Sequence, residues 1–568
     1  MFADDRRATW ERSHRVCVVI RTRTDLSRML DVLRALDGDP RLDFYWTINE
    51  GSRFAGGARE RLARLDVQFV EWGQARSMVF DLIIAAHSDG ALGELVGPVV
   101  TMAHGTGYNR RVLWRTEDAD SPAGLSAKEL TRGERVVAAA IGLSCESQVD
   151  QLSMANPHAV PRAFQMGDPT WDRMVANVDM RESFRRELGI GAHHRLIGIS
   201  STWGPDSTLG VDHLVVNRVV AALPHDEYRV VLILHPNVWT HHTGFGVRGL
   251  FGDAIEAGLV IVLPTTDWPA PLIAVDAFIG DHGSVSVYAA ALGRPFLFAG
   301  RGDDELVKGS TTLDFVRAAG RLDAAADLRA QIVDAMRRYA RSGVAEVARR
   351  AMGSQGRSLR LLQAKFYELM ALDPPPQVPH PRRYSRLRLV RDDHGVTAFH
   401  CHPTLTVRPD CTVTVSVERY PAVLAEHRSP AHGGGAAVLV VDEHESNHQL
   451  KESAEVRVCG DDRDAAAVWG RITRTLLDSP CFLAAGVNGS RLLVGTRLGG
   501  RWDVRRVGGV PIDPGALAAA VYQLAVEPGR ELSPSGVAGR GVSTVEVQVG
   551  AMTSTIAITR VSANAHSP

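Results

Sequence analysis

The stretch 272–298, LIAVDAFIGDHGSVSVYAAALGRPFLF, decides how this chain folds. Its apolar opening, residues 272–279 with Asp276 as the one polar member, reads as a buried strand. Gly280, Asp281, His282, Gly283 and Ser284 then make a small polar turn. Residues 285–292 predict a short helix, Gly293-Arg294-Pro295 ends it, and residues 296–298 start another strand. A strand–turn–helix–strand unit builds parallel sheets. The turn falls at the carboxyl end of its strand, where open α/β sheets bind ligands. Small residues there let the N–H groups of a helix N-terminus approach a phosphate. Ser284 would serve equally as an ordinary helix cap.

Outward from this unit the chain alternates strands and helices. Upstream, residues 16–20, 44–48, 67–70, 81–86, 98–103 and 138–144 predict strands, the last closing this half. Thr24-Asp25 predicts a cap for a helix reaching residue 36. Residues 14–179 therefore read as one Rossmann-like domain, on the acceptor side, and 180–372 as a second that holds the nucleotide donor. Strands at 196–200, 228–234 and 259–263 and helices at 211–223, 323–348 and 359–372 belong to the second. Two such halves imply a cleft fed by strand ends from both sides. A proline-rich segment, 373–382, is a linker. Beyond it, 383–568 reads as an α+β domain whose purpose the sequence does not reveal. It has strands near 387–391, 396–400, 413–417, 436–441, 456–458, 492–496, 502–507, 545–549 and 555–561 and helices at 465–477 and 513–526.

Composition narrows the function classes. The 568 residues are 45% hydrophobic and 23% charged, with a formal net charge of −1. That balance gives no pull toward nucleic acid or an anionic membrane. The first 15 residues are polar and carry no signal-peptide core, and no apolar run approaches the ~20 residues of a membrane span. Six cysteines lie scattered without CxxC spacing, so the expected setting is cytoplasmic, with no disulfide framework. Peripheral membrane contact is left open, although no basic amphipathic segment stands near the amino end.

Three histidines, His104, His235 and His282, fall directly after predicted strands. An imidazole there can act as a general base, because its pKa lies near neutrality. His104-Gly105-Thr106, Ser201-Thr202-Trp203, His235-Pro236 and Asp281-His282-Gly283-Ser284-Val285 follow in order. This series resembles the CDP-glycerol glycerophosphotransferase family, teichoic-acid-type polymerases and primases with the GT-B fold, over about residues 14–372. The resemblance implies a nucleotide-activated donor, CDP- or UDP-linked, and an unidentified acceptor hydroxyl. His104 would deprotonate that hydroxyl for attack on the donor's β-phosphate, and His235 would offset charge on the pyrophosphate. Gly105, Thr202, Asp281, His282, Gly283 and Ser284 would hold the donor and its phosphates. No cofactor and no metal is implied.

The chain also departs from the family pattern. Gly107, Tyr108 and Asn109 stand where proline, leucine and lysine are expected, with Arg110 one place late. Leu232-Ile233-Leu234 lacks the usual basic residue, and Gly204 replaces an arginine. Arg110 and Arg294 are the candidate substitutes. Two further readings therefore stand beside the transferase: a UDP-sugar 2-epimerase or other GT-B glycosyltransferase, and a degenerate GT-B protein that binds nucleotide or a partner. In the last domain, His444-Glu445-Ser446-Asn447-His448 matches HExxH literally, but its polar middle suits a surface segment better than a zinc helix. Gly433-Gly434-Gly435 reads as a flexible turn.

Overall fold

Val16 to Ile20 are all fully buried, the signature of a strand covered on both faces in a parallel sheet. The computed structural model describes residues 12–49, 55–111, 121–410, 412–428, 437–526 and 542–561. Residues 1–11 and the glycine run 433–435 fall outside these. The first sheet has six strands, in the order Leu42–Ile48, His14–Ile20, Leu82–Ala85, Val99–Met102, Ala140–Leu143, Ala163–Gln165, all paired in parallel. The second has seven, in the order Gly320–Arg321, Phe296–Phe298, Ala277–Gly280, Arg195–Ser201, Tyr228–Leu234, Val260–Val262, Leu389–Val390. Only its last strand runs antiparallel. Two Rossmann-like sheets joined in this way form the expected GT-B-like α/β architecture.

Several expected elements differ. The apolar run 272–279 is not one strand. Pro269 and Pro271 start a helical turn, Ala270–Ala274, and the strand is only Ala277–Gly280. Asp276 separates the two, because its carboxylate accepts from the Leu196 amide, Arg181 and Arg185. A short buried run cannot announce which it is, since periodicity fails when every position is apolar. Residues 67–70 reach the sheet through a single bridge, Trp46 with Phe69. The strand at Ala140–Leu143 is not the last of its half, because Ala163–Gln165 extends the sheet beyond it. The helix Ser358–Leu369 returns to the first sheet, where Leu359, Leu362, Phe366 and Tyr367 share its core. Leu389–Val390 joins the second sheet's edge.

Beyond these sheets the α+β region is a closed barrel of nine strands. The apolar helix Pro514–Val526 lies inside it. Its Ala516, Ala519, Ala520, Val521 and Leu524 join one buried cluster with residues of all nine strands, among them Cys401, Val415, Val440, Val456, Leu483, Val494, Val504, Val547 and Ile556. The helix Ala465–Asp478 packs outside, with Val468 against Gly486 and Ile472 against Gly495. Among the described residues no helix is long and apolar enough to cross a membrane.

A buried knot ties the two sheets together. Asp168, at the crossover between them, caps the helix Pro169–Val175 through the Trp171 amide. Its other contacts come from opposite sides. Arg28, on the first half's helix Arg23–Val32, donates at 2.7 Å, and the Tyr288 hydroxyl of the second half donates at 2.7 Å. Arg28 and Asp168 side chains are wholly shielded from solvent. Replacing Arg28 by alanine leaves that carboxylate buried without its cation. We expect Arg28→Ala to lower unfolding stability by about 3–5 kcal/mol, measured by denaturant titration at neutral pH.

Candidate active site at the seam between the sheets

Three neighbouring strand ends assemble the centre. His14–Ile20 leads to Asp25, Leu82–Ala85 leads to His87, and Val99–Met102 leads to His104. Asp25 is the third helical residue of a capping box: Thr22 is the cap, in place of the predicted Thr24-Asp25, and the Arg21 and Thr22 amides donate to Asp25 Oδ2. That same buried carboxylate lies 3.3 Å from His87 Nδ1 and 3.7 Å from His104 Nδ1. Burial works to raise the Asp25 pKa, but His87, His104 and the Thr22 hydroxyl outweigh it and hold the group ionised. The His104 side chain is 54% exposed although neighbours crowd its ring. Desolvation lowers its pKa below 6.5, while Asp25 pulls it upward, so the ring is neutral at physiological pH.

The backbone around His104 is fixed from behind. Arg28 donates to the carbonyls of Ala103 and Gly105, on either side of the histidine, each at 3.2 Å. Gly105 lets the halves approach closely there, because a Cβ would stand 2.3 Å from Ser284 Oγ in the opposite half and force that side chain to move. Ser284, first residue of the helix Ser284–Ala291, receives the Thr106 amide at 3.3 Å. The chain then runs on as a strand-like staple. Arg111 N–H donates to the Glu305 carbonyl at 2.8 Å, and Val307 N–H donates to Asn109 at 2.9 Å.

His235 ends the strand Tyr228–Leu234 and caps the helix that follows, its Nδ1 accepting from the Asn237 amide at 3.1 Å. An accepting Nδ1 puts the single proton of the neutral ring on Nε2. Burial takes its pKa down to about 3, and His104 and Arg110 are close enough to push the same way. The predicted residues His104, Gly105, Ser284, His235 and Arg110 thus converge on one seam.

Asp281 and His282 are placed differently from the phosphate contacts that the resemblance implies. Both side chains are buried and bonded to protein. Asp281 accepts the amides of Thr202 (2.8 Å), Thr208 (3.0 Å) and Gly283 (3.0 Å), so it frames the turn. Thr202 and Gly283 are packed against each other within that frame. His282 Nε2 lies 3.2 Å from Glu305. Arg110 crosses the seam to Glu305 at 3.0 Å and lies over the Trp203 ring at 4.9 Å, so its charge is engaged by a carboxylate. Arg294 stands apart, beyond the other end of the helix Ser284–Ala291, where it donates to the Leu272 and Ile273 carbonyls. The HExxH match does not share a helix either. Asn447 caps the helix His448–Ser453, so His444 precedes it, and Glu445 accepts from Thr397. Among the described residues no group of three or more His, Cys, Asp or Glu could hold a metal ion.

Asp25, His87 and Glu305 escaped sequence reasoning. The first reads as a cap, the second as one strand-end histidine among 21 in the chain. The usable signal for Asp25 and His87 is topological: with His104, they follow three adjacent parallel strands.

No protein-family model and no curated protein matches the chain. Among solved structures it is similar to the wall teichoic acid polymerase TagF, with 11% identity, a TM-score of 0.44, and 63% of this chain and 89% of that one covered. It is also similar to UDP-GlcNAc 2-epimerase from Neisseria meningitidis bound to UDP-GlcNAc, with 13% identity, a TM-score of 0.42, and 62% and 100% covered. At that level the likeness leaves function to be read from the residues.

The seam's ion pair makes a pH prediction. Burial works to raise the Glu305 carboxyl, but His282 and Arg110 outweigh it and bring its pKa from 4.5 to about 2. A depressed carboxylate stabilises the fold above its unfolded pKa and loses that contribution as pH falls. Between about pH 4.5 and 2, Tm of the wild type should therefore fall more steeply than Tm of Glu305→Gln. Parallel curves would mean that the pair adds nothing.

Proposed function

We propose that the seam binds a nucleotide-activated donor and that His104 is the general base for transfer to an acceptor hydroxyl. The transferred group is glycerophosphate-like, from a donor most like CDP-glycerol, or glycosyl. The carrying observation is the pairing of a half-exposed, neutral His104 with the buried Asp25 carboxylate. A carboxylate on the Nδ1 side favours the proton there and leaves the Nε2 lone pair free for a substrate. In glycerophosphate transfer, Nε2 takes the hydroxyl proton as the acceptor oxygen bonds to the β-phosphorus. The bond from that phosphorus to the bridging oxygen breaks, and the nucleoside monophosphate departs. His235 Nε2–H is placed to meet the charge that develops, and Asp25 steadies the imidazolium formed at His104.

A second reading, a degenerate protein that binds nucleotide without turnover, is favoured by one feature. Arg110, the cation that acts on His235, is already paired with Glu305. Phosphoryl transfer needs positive charge for its leaving group, so the transferase reading requires the donor to displace Glu305 from Arg110.

Both readings are tested by turnover of CDP-glycerol and of UDP-linked sugars, with thermal shifts measured for CDP, CMP, UDP, ADP and GDP. Under the transferase reading, His104→Asn should reduce kcat by about 10²–10⁴ with little change in Tm. The rate should fall at low pH with a midpoint below 6.5. Asp25→Asn should move that midpoint lower still, because removing the carboxylate removes what raises the His104 pKa. Selective protection by one diphosphate without turnover would establish the degenerate reading. Neither protection nor turnover would end both.

A further inference from the structure

The barrel carries a second polar pocket, independent of the seam. Its volume is about 140 Å³, and Glu443, Arg457, Cys459, Arg471, Arg474 and Thr475 line it together with Val458. It lies between the strand Val456–Cys459, the turn after Val438–Asp442, and the outer helix Ala465–Asp478. Arg457 and Arg471 each hold a buried Nε with no hydrogen-bond partner among the described residues. A buried donor without a partner is costly, so such groups ordinarily meet water, an ion or a ligand.

The remaining bonds of these arginines hold them in place. Arg457 Nη1 reaches the Lys451 carbonyl at 3.3 Å. Arg471 Nη2 reaches the Gly460 carbonyl at 3.1 Å, and its Nη1 lies 3.4 Å from Asp462. Arg474 is exposed. Thr475 and Cys459 are within 3.4 Å of each other at their side-chain tips, adding a hydroxyl. Glu443 is the one carboxylate in the lining, and it lies so close to Gly460 that a Cβ there would stand 2.0 Å from Oε1. Even with Asp462 beside Arg471, three guanidinium groups stand against two carboxylates, Glu443 and Asp462, and that balance favours an anion. The volume is well under the roughly 300 Å³ at which pockets for larger small molecules begin, so it suits a phosphate-sized group better than a whole nucleotide.

We propose that this pocket binds a phosphate group, either free or as the phosphomonoester of a short polyol. Arg457, Arg471 and Arg474 take the phosphate oxygens, and Glu443 accepts from a hydroxyl when the ligand has one. The site stands about the barrel's outer helix and does not depend on the reading of the seam.

Calorimetric titration of the full chain with inorganic phosphate, glycerol 1-phosphate and phosphate-free glycerol tests this. Saturable binding of a phosphate ligand, absent for glycerol, is expected. Tighter binding of glycerol 1-phosphate than of inorganic phosphate assigns the phosphomonoester, and equal binding assigns the free ion. Arg457→Gln and Arg471→Gln should each weaken binding about tenfold or more. Arg474→Glu, changed on an exposed position that folding does not use, should do the same even where the buried variants fail to fold. His104→Asn should leave this binding unchanged. Binding retained in Arg474→Glu, lost in His104→Asn, or never saturating would overturn the proposal.

Discussion

Asp168 is the residue on which both halves of this molecule depend. A carboxylate removed from water must find donors for its oxygens, and here they come from three places: the Trp171 amide, the Arg28 guanidinium and the Tyr288 hydroxyl. Each belongs to a different element, so satisfying one buried charge fixes three elements relative to one another. The second crossover is treated in the same manner. Asp172, one turn along the same helix, accepts the amides of Gly356 and Ser358 and so holds the returning chain beside the outgoing one. Separating the sheets would expose both carboxylates to incomplete pairing, and that penalty keeps the seam in register.

The same knot shapes the candidate site. Arg28 has donors to spare after meeting Asp168, and it uses them on the carbonyls before and after His104. The backbone at the histidine is thus held from behind by the interaction that joins the halves, and Asp25 faces its ring from the side at 3.7 Å. The proposed general base gains from supports that are themselves fixed. On the opposite wall, Asp281 gathers three amides from two loops, so the turn that presents Ser284 is framed by its own chain. Stiffness and charge economy go together here. Arg110 crosses the seam to Glu305, which also meets His282, so a ligand entering it must compete with existing pairs.

Much of this was legible in order, less of it in depth. Runs such as Val16 to Ile20 announce parallel strands because burial on both faces demands unbroken apolar sequence. The motifs after those strands then fall together by topology, which brings His104, His235 and Ser284 to one seam. Asp25 was hidden because a carboxylate three residues past a threonine fits a helix cap, a role it also fills. Arg294 was misplaced because sequence distance along a helix says nothing of which end faces a ligand. Barrel closure was invisible for a different reason. Its strands pair across long separations, parallel between Thr414 and Glu546 and antiparallel between Trp502 and Arg560, and no local pattern encodes such partners.

The barrel's odd interior follows from size. Nine strands enclose more space than side chains from the wall alone can fill, and a void of that kind would be unstable. A helix can fill it only if its own side chains are small, and Ala516, Ala518, Ala519 and Ala520 meet that need. The entry of this helix is tied to the second half through a cation. Arg419, on the strand Val413–Pro421, pairs with Asp513 at the helix start and with Asp226 in the turn before the strand Tyr228–Leu234, the latter at 2.6 Å. Asp226 has little exposure, so its charge needs that partner. One guanidinium therefore joins the docking of the barrel on the second half to the start of the threaded helix, beside the Arg329–Glu418 pair that bridges the same two parts.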